Sequence, residues 1–340
     1  MAIVLSGCEA VGYYRQAIAG EYQILAHQKP IESLIANPAT PAKLKAQFKE
    51  VLEIRRFAGQ ELKEPVDKSY VKYTDLHRSC VVWTVVVAPP LSLEPKTWWF
   101  PVVGRASYRG YFNESSAERY AEKWEKRGWD VDVGGVQTYS TLGWFHDPLL
   151  STFIYEPESE LAEIIFHELG HRRLFIPGDT DFNEAFATTV AEEGVRRWYL
   201  AAHKPEAYED YLKERRREND FVKLVLAACG QLQALYSDST LPDAEKLRRK
   251  EEVIGEMREN YAKLKTQWGV TKSGYDYWFS EPINNAKLNT IATYYDLVPG
   301  FQAVLKAQGG DIEKFYQAVG ALAKLPLAER HEALAHAAEN

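Results

Sequence analysis

The spacing of apolar positions divides the chain into helical and β-rich stretches. Residues 9–64 place apolar side chains at helical intervals, with a break near Asn37 and a new helix expected from Pro41. Residues 80–87, the β-branched run CVVWTVVV, predict a buried strand. From residue 158 onward the spacing is helical almost throughout. This order of helices, a small sheet and many further helices predicts a mainly helical α+β fold.

The β-rich stretch contains several shorter elements. Alternating and aromatic runs predict strands, and one amphipathic run predicts a helix with Ser115 or Ser116 as its N-cap. The predicted strands cover residues 98–103, 107–112, 130–133 and 136–144, and the predicted helix covers residues 115–128. The sheet is therefore expected to be small and to come directly before the long helical part.

The composition is typical of a globular protein in water. Of the 340 residues, 46% are hydrophobic and 26% are charged, and no run of 18 apolar residues occurs. These values argue against a disordered chain and against a polytopic membrane protein. The net charge of −7 makes nucleic acid an unexpected partner. Three cysteines are too few for a disulfide framework.

The first residues contain a candidate lipid-attachment site. Residues 5–8 read LSGC, which resembles the bacterial lipobox, where the cysteine is lipidated and becomes the first mature residue. The apolar stretch before it is short and carries no Lys or Arg, unlike a signal peptide. Cys8 is therefore either a lipidation site that anchors the chain to a membrane surface or a buried cysteine near a helix start.

A metal-binding motif lies within the long helical part. Residues 166–171 read FHELGH and contain His-Glu-x-x-His. On a helix, His167 and His171 share a face and can bind one Zn²⁺. Glu168, about 100° around the helix, can reach a water on that ion and act as a general base. Two surface histidines flanking a glutamate would give the same pattern, so a third ligand is needed.

Glu184 is the candidate third ligand. Pro177-Gly178 ends the first helix, and residues 179–181 offer caps for a second helix that would bring Glu184 back over the histidines. Alternatively, Asp181 as N-cap would make Glu184 the third helical residue and part of a capping box. Beside His-Glu-x-x-His we favour the ligand interpretation. Two imidazoles and one carboxylate suit Zn²⁺ best.

Several motifs resemble one known family. Residues 143–149 (GWFHDPL), 165–171 (IFHELGH) and 182–187 (FNEAFA) resemble the bacterial predicted-aminopeptidase lipoprotein family of zinc metallopeptidases. Residues 108–112 (YRGYF) and 284–288 (NNAKL) are also similar. The Asn-Glu-x-Phe-Ala stretch looks like the third-ligand helix of gluzincin aminopeptidases. The resemblance covers most of the chain and implies a zincin-like metallopeptidase fold with a small sheet beside the active-site helix.

The resemblance also implies roles for single residues. It makes His167, His171 and Glu184 the zinc ligands and Glu168 the general base. It favours lipidation of Cys8 and a place on the periplasmic side of a bacterial membrane. The implied activity is removal of N-terminal residues from a peptide. A zinc endopeptidase and a non-catalytic periplasmic lipoprotein that uses the scaffold for binding remain as alternatives, and the oligomeric state stays open.

Other cleft residues are assigned from the expected chemistry. A tyrosine commonly stabilises the oxyanion, and Tyr275 and Tyr277 are the candidates, with ordinary packing as the alternative. Peptides of zincins bind beside an edge strand, so residues 138–144 are the candidate edge, with Gly143 and Trp144 contacting substrate. A plain structural strand is the alternative there. The chain is divided into four segments: residues 1–64, 65–157, 158–203 with both motif helices, and 204–340, of which 65–340 is expected to form one catalytic unit.

Further polar residues are expected to orient the metal ligands or to bind the substrate. Glu163, Thr188 and Glu192 lie at helical spacing from the candidate ligands and are candidates to orient them. Solvated helix charges are the alternative for the two glutamates. An aminopeptidase must also bind a free α-ammonium, for which Asp147 and Glu156 are the nearest carboxylates in sequence. Both also fit as loop or cap residues.

Overall fold

Helices make up most of the molecule. The computed structural model describes residues 2–100, 104–138, 146–292 and 297–339, and for residues 2–11 and 292 it gives the backbone alone. Within these ranges the helices are α1 (Ala2–Ala26), α2 (Ile31–Ala36), α3 (Ala42–Glu61), α4 (Glu114–Glu125), α5 (Glu158–Arg173), α6 (Thr180–Ala201), α7 (Pro205–Ser237), α8 (Asp243–Gln267), α9 (Asp276–Ser280), α10 (Asn285–Ala292), α11 (Val298–Ala307), α12 (Ile312–Leu322) and α13 (Leu327–Glu339). The predicted α+β class, mainly helical, is confirmed.

The strands are short and form small sheets. They are β1 (Lys29–Pro30), β2 (Lys72–Thr74), β3 (Val82–Ala88), β4 (Trp98–Phe100), β5 (Gly104–Ala106), β6 (Tyr108–Tyr111), β7 (Asp130–Val136) and β8 (Leu149–Leu150). One antiparallel sheet has the order β6-β3-β7, a second has the order β1-β2-β8, and β4 pairs with β5. The strand predicted over residues 80–87 is therefore confirmed as β3, the centre of the first sheet.

Two local predictions in this region are wrong. The strand break expected between residues 133 and 136 does not occur, because Gly134 and Gly135 stay in register with Thr84 and Trp83 of β3. Helix α4 takes Asn113 as its N-cap instead of either serine. The Asn113 side chain accepts a hydrogen bond from the Ser116 backbone nitrogen at 3.1 Å. The helix thus begins one residue earlier than predicted, since Asn caps a helix as well as Ser does.

The largest core crosses all four predicted segments. One cluster contains Phe48 from residues 1–64, Leu149 from the β-rich stretch, Phe166 from the motif helix and Tyr211 from the C-terminal part. Phe48, Leu149 and Phe166 are fully buried. The boundaries therefore mark changes in secondary structure and do not separate hydrophobic cores.

The β6-β3-β7 sheet has two unlike faces. On one face Trp83, Val85 and Val87 pack into a cluster with α4. Because successive side chains alternate, Val82, Thr84 and Val86 point to the other face. These three residues line a cleft of about 2360 Å³, which residues of α5, α6 and α7 also line. The sheet therefore forms one wall of this cleft, and the helix carrying His-Glu-x-x-His lines it as well.

The N-terminal helix contains the candidate lipid-attachment cysteine. Cys8 is part of α1, and the structure describes its backbone alone. Among the helices that the structure describes, none is long and apolar enough to cross a membrane.

Candidate metal centre

Helices α5 and α6 lie unusually close together at two glycines. A Cβ added to Gly170 on α5 would lie 3.3 Å from the Cα of Ala187 on α6. A Cβ added to Gly194 on α6 would lie 2.5 Å from Cδ2 of Phe166 on α5. Glycine inside a helix costs about 1 kcal/mol relative to alanine. The cost is offset here because the missing side chains let the two motif helices come into contact.

Buried polar groups fix the start of α6. Asp179 is the N-cap, and its carboxylate accepts a hydrogen bond from the Phe182 backbone nitrogen at 3.3 Å. The same carboxylate forms an ion pair with Arg330 of α13 at 2.6 Å. With Asp179 as N-cap, Glu184 is the fifth residue of the helix. The capping-box alternative through Asp181 is therefore wrong, and the Glu184 side chain is free for another role.

The residue before Glu184 also has a structural explanation. The amide of Asn183 accepts a hydrogen bond from the Ile176 backbone nitrogen and donates one to the Ile176 carbonyl, each at 2.8 Å. Asn183 is almost fully buried. These two bonds hold the turn between α5 and α6, so the Asn-Glu pair combines a residue that fixes the turn with a residue that faces the histidines.

His167, His171 and Glu184 come together as the sequence predicted. Nε2 of His167 lies 3.1 Å from Nε2 of His171 and 3.2 Å from Oε2 of Glu184. Nε2 of His171 lies 3.5 Å from the same Oε2. All three ligand atoms lie within 4.8 Å of one another. Among the described residues this is the cluster that could hold a metal ion.

The spacing of these atoms fits a tetrahedral ion. Two ligands at 2.0–2.1 Å from a tetrahedral Zn²⁺ are separated by about 3.4 Å. The separations of 3.1, 3.2 and 3.5 Å lie close to that value. Two neutral imidazoles and one carboxylate are also a donor set that Zn²⁺ favours, with one position left for water. The three residues therefore fit a catalytic type of zinc site.

The charges within the cluster favour the ionised form of Glu184. Burial alone would lower the pKa of His167, but the hydrogen bond and the negative charge of Glu184 raise it overall. Burial alone would raise the pKa of Glu184, but the charge of His171 and hydrogen bonds from both histidines hold it well below its ordinary value. Glu184 is thus a carboxylate in the presence of the two imidazoles, which is the form that binds a metal.

Glu168 has the environment of a general base. Burial raises the pKa of its carboxyl, and the charges of Glu184 and Asp147 add to the rise, against the opposing effect of the two histidines. Glu168 lines the same cleft as the three candidate ligands. A raised pKa brings a carboxylate closer to neutral pH, where a group that takes up and returns a proton works best.

Two of the residues expected to orient the ligands, both glutamates, form ion pairs with an arginine, and the role of Thr188 stays a prediction. Glu163 of α5 and Glu192 of α6 both bind Arg215 of α7, at 3.0 and 2.7 Å. Arg215 also pairs with Glu218 and has 13% of its side chain exposed. Nδ1 of His171 is buried and has no hydrogen-bond partner among the described residues. The two glutamates therefore fasten α5 and α6 together through Arg215, an arrangement that we call the Arg215 bridge.

Tyr108 is a cleft tyrosine that interacts electrostatically with Glu184 and Glu168 and that the sequence did not single out. Tyr108, the first residue of β6, lines the cleft with His167 and Glu168. Tyr108 as a whole is 41% exposed, but desolvation of its hydroxyl, with the charges of Glu184 and Glu168, raises the pKa of Tyr108 to about 12. The only sequence signal was its place in the YRGYF stretch. Arg215 was missed as well, because the mixed charges around it are typical of an exposed helix.

Tyr275 and Tyr277 line the same cleft at another point. The ring of Tyr275 stacks on Phe221 with centroids 4.3 Å apart. Burial and the charge of Glu218, which also pairs with Arg215, raise the pKa of Tyr275 above its ordinary value. Tyr277 is 75% exposed.

Gly143 and Trp144 lie outside the described residues, as does most of the edge predicted over residues 138–144. Asp147 is 2% exposed and its carbonyl accepts a hydrogen bond from the Tyr70 nitrogen. Its burial argues against a role in binding an α-ammonium. The contact with substrate at Gly143 and Trp144 stays a prediction.

Fold and site together define the class: a mainly helical α+β protein with a three-ligand candidate metal centre between two helices and a glutamate beside it. The family model described as putative aminopeptidase matches residues 12–334, so the chain belongs to that family. The family supports a peptidase. No curated protein and no solved structure matches the chain. The zincin-like architecture therefore stays a prediction.

Proposed function

We propose that the protein is a zinc-dependent metallopeptidase that removes N-terminal residues from peptides. The observation that carries the proposal is the meeting of His167, His171 and Glu184 within 4.8 Å, with Glu168 beside them in an open cleft. Membership of the putative aminopeptidase family supports the choice of peptide as substrate. The cleft is large enough to admit an extended peptide.

The chain's own residues divide the work of hydrolysis. When bound, Zn²⁺ polarises the scissile carbonyl and lowers the pKa of water towards about 7. Glu168 takes the proton from the attacking water and later delivers it to the leaving amine. Its raised pKa favours the first transfer, because a more basic carboxylate takes the proton more readily and holds it until the amine leaves. Glu184 and the two histidines would hold the ion in the cleft.

Tyr108 is our candidate for stabilising the oxyanion. A pKa near 12 keeps its hydroxyl protonated at neutral pH, so it can donate a hydrogen bond to developing negative charge. Tyr108→Phe should lower kcat by about 100-fold or more while KM and zinc affinity change little. Tyr275→Phe and Tyr277→Phe are the matched controls, since they test the two tyrosines that the sequence favoured. A normal kcat in Tyr108→Phe would exclude this role.

The decisive experiment measures metal content and peptide hydrolysis on one purified sample. We expect one zinc per chain, cleavage of aminoacyl substrates, and loss of cleavage in Glu168→Gln with zinc retained. Glu160→Gln is the matched control, because it makes the same carboxyl-to-amide change on the cleft-lining side of the same helix. Zinc should also stabilise the fold, by about 2.7 kcal/mol at one hundred times its Kd, and Glu184→Gln should reduce this effect.

Other outcomes separate the alternatives. Stoichiometric zinc without cleavage across a broad peptide library would favour a binding lipoprotein. Cleavage only at internal bonds would favour an endopeptidase. No stoichiometric metal in any preparation would refute the proposed centre itself.

The proposed location rests on the lipobox-like residues 5–8. If residues 5–8 are a lipobox, the mature chain begins at lipidated Cys8 and is anchored on the periplasmic side of a bacterial membrane. Mass spectrometry of the N-terminal peptide, from wild type and from Cys8→Ser, tests this directly. An unmodified Cys8 in the wild-type protein would exclude lipidation.

A further inference from the structure

The cleft face of the β6-β3-β7 sheet is organised in rows that cross the strands. Tyr108, Val86 and Asp132 lie side by side in one row, because Val86 pairs with both of the others. The next row is Gly110, Thr84 and Gly134. Both glycines line the cleft. Since only Thr84 carries a side chain there, the second row is a shallow trough that runs across the sheet.

The two ends of the first row differ in chemistry. Tyr108 stands at the β6 edge, where Glu184 and Glu168 act on its hydroxyl. Asp132 stands at the β7 edge, where it interacts electrostatically with Lys287 of α10. Adjacent strands are about 4.8 Å apart, so two strand spacings separate the two edges by about 10 Å. A peptide covers that distance in about three extended residues.

Lys287 is a buried cation on the wall of this cleft. The residue is 6% exposed, and its Nζ lies 5.3 Å from the ring centroid of Trp278. Among the described residues, no acceptor forms a hydrogen bond with this ammonium and no carboxylate oxygen comes within 4.0 Å of it. Burial lowers the pKa of Lys287, against the charges of Asp132 and Glu281. Lys287 lines the cleft, and an ammonium with little solvent contact and no acceptor favours an added anion.

Other basic residues along the cleft already have acceptors. Lys213 binds Asp210, Arg217 binds Glu214, and Arg215 binds three glutamates. Lys272 is exposed on the rim. Lys287 therefore differs from them in being both buried and without a direct partner among the described residues.

We propose that Lys287 binds a carboxylate of the peptide at the β7 side of the sheet, about three extended residues away from Tyr108 at the β6 side. The inference rests on the proposed peptidase function and deepens it: the preferred substrates are short peptides that end in, or carry, a carboxylate at that distance. The carboxylate comes either from the free C-terminus or from an acidic side chain. Asp132, at the β7 end of the Tyr108 row, interacts electrostatically with the ammonium, and the Trp278 ring lies beside it.

The test compares three substrates on the zinc-loaded protein: trialanine, trialanine amide and Ala-Ala-Asp amide. We expect kcat/KM for the free acid to exceed that for trialanine amide by about 10-fold or more, the usual scale for a hydrogen bond to a charged group. Lys287→Met should reduce this ratio to about 1, and Lys287→Arg should keep part of it. Lys272→Met, which removes a rim charge from the same cleft, should leave the ratio unchanged. Recovery of the rate with Ala-Ala-Asp amide would identify a side-chain source for the carboxylate.

Equal kcat/KM for the acid and amide forms in the wild type would overturn the inference while leaving the peptidase intact, and this result needs no variant to fold. Retention of the preference in Lys287→Met would overturn it too. Calorimetric binding of the same peptides to Glu168→Gln gives a readout independent of catalysis. If the wild type cleaves nothing but still binds trialanine more tightly than its amide through Lys287, the proposed function fails and the carboxylate site stands.

Discussion

Glu64 offers a quantitative test because its carboxyl is buried against a single hydroxyl. The residue is 4% exposed, and its Oε1 lies 2.6 Å from the Tyr316 hydroxyl, which also lies 2.9 Å from the Leu62 carbonyl. A phenol has one proton and cannot donate to both. If Glu64 is protonated, it donates to Tyr316, and Tyr316 donates to Leu62. Both hydrogen bonds then have a proton to share, whereas ionised Glu64 would also leave its buried Oε2 as a charged oxygen without a partner among the described residues, so the fold favours the neutral acid.

The size of the effect follows from the pKa. Burial, only partly opposed by the Tyr316 hydrogen bond and the charge of Arg173, raises the pKa of Glu64 from 4.5 to about 7. That difference corresponds to about 3 kcal/mol. Because the folded-state pKa is the higher one, this stability is fully present below about pH 4.5 and is lost as the pH rises through 7. Most of the loss falls between pH 5 and pH 8.

Glu64→Gln removes this pH dependence. The glutamine amide donates to Tyr316 at every pH, so the variant should gain on the wild type by about 2–3 kcal/mol between pH 5 and pH 8. Urea unfolding at several pH values measures the free energy of unfolding of both proteins. Glu61→Gln, at an exposed position nearby, is the control, and its free energy of unfolding should follow the same pH dependence as that of the wild type. The same pH dependence for Glu64→Gln and wild type would refute the reasoning.

Two further predictions concern the motif helices. Gly194→Ala should lower the free energy of unfolding by about 1–3 kcal/mol, because the new Cβ would lie 2.5 Å from Phe166. The control is Gly255→Ala in α8, where nothing lies within 4 Å of the new Cβ. This control should stabilise the protein by up to about 1 kcal/mol. Equal effects of the two substitutions in urea unfolding would contradict the close-approach argument. Arg215→Met should cost about 2–3 kcal/mol, since it leaves partly buried carboxylates unpaired, and part of the loss should be recovered at lower pH as they protonate. An unchanged unfolding midpoint at neutral pH would show that the bridge does not hold the helices.

The metal site was predictable because most of it is local. His167 and His171 are four residues apart on one helix, and helix geometry alone places both on one face. The strand at β3 was predictable from its β-branched run in the same way. Glu184 was harder, since its role depended on the cap of α6. Asp179 and Asp181 are equally good caps by sequence, and burial of Asp179 against Arg330 decided between them.

Tyr108, Arg215 and Lys287 could not be assigned from the sequence for a common reason. Their roles depend on partners far away along the chain: Tyr108 on Glu184, Arg215 on Glu163 and Glu192, and Lys287 on Asp132. A mixed-charge helix predicts exposed ion pairs. Only the packing of α7 against α5 and α6 reveals that one of these arginines is buried.

The sequence by itself determined the helical periodicity, the β-branched strand and the paired histidines, because each of these depends on the spacing of neighbours along one element. The tertiary structure decided that Glu184 meets the histidines and does not cap its helix, which tyrosine lines the cleft with them, and which cleft lysine is buried with no direct acceptor among the described residues. Those choices depend on burial and on contacts between distant segments. Two residues with the same side chain differ in pKa, partners and function only once the fold has removed one of them from water.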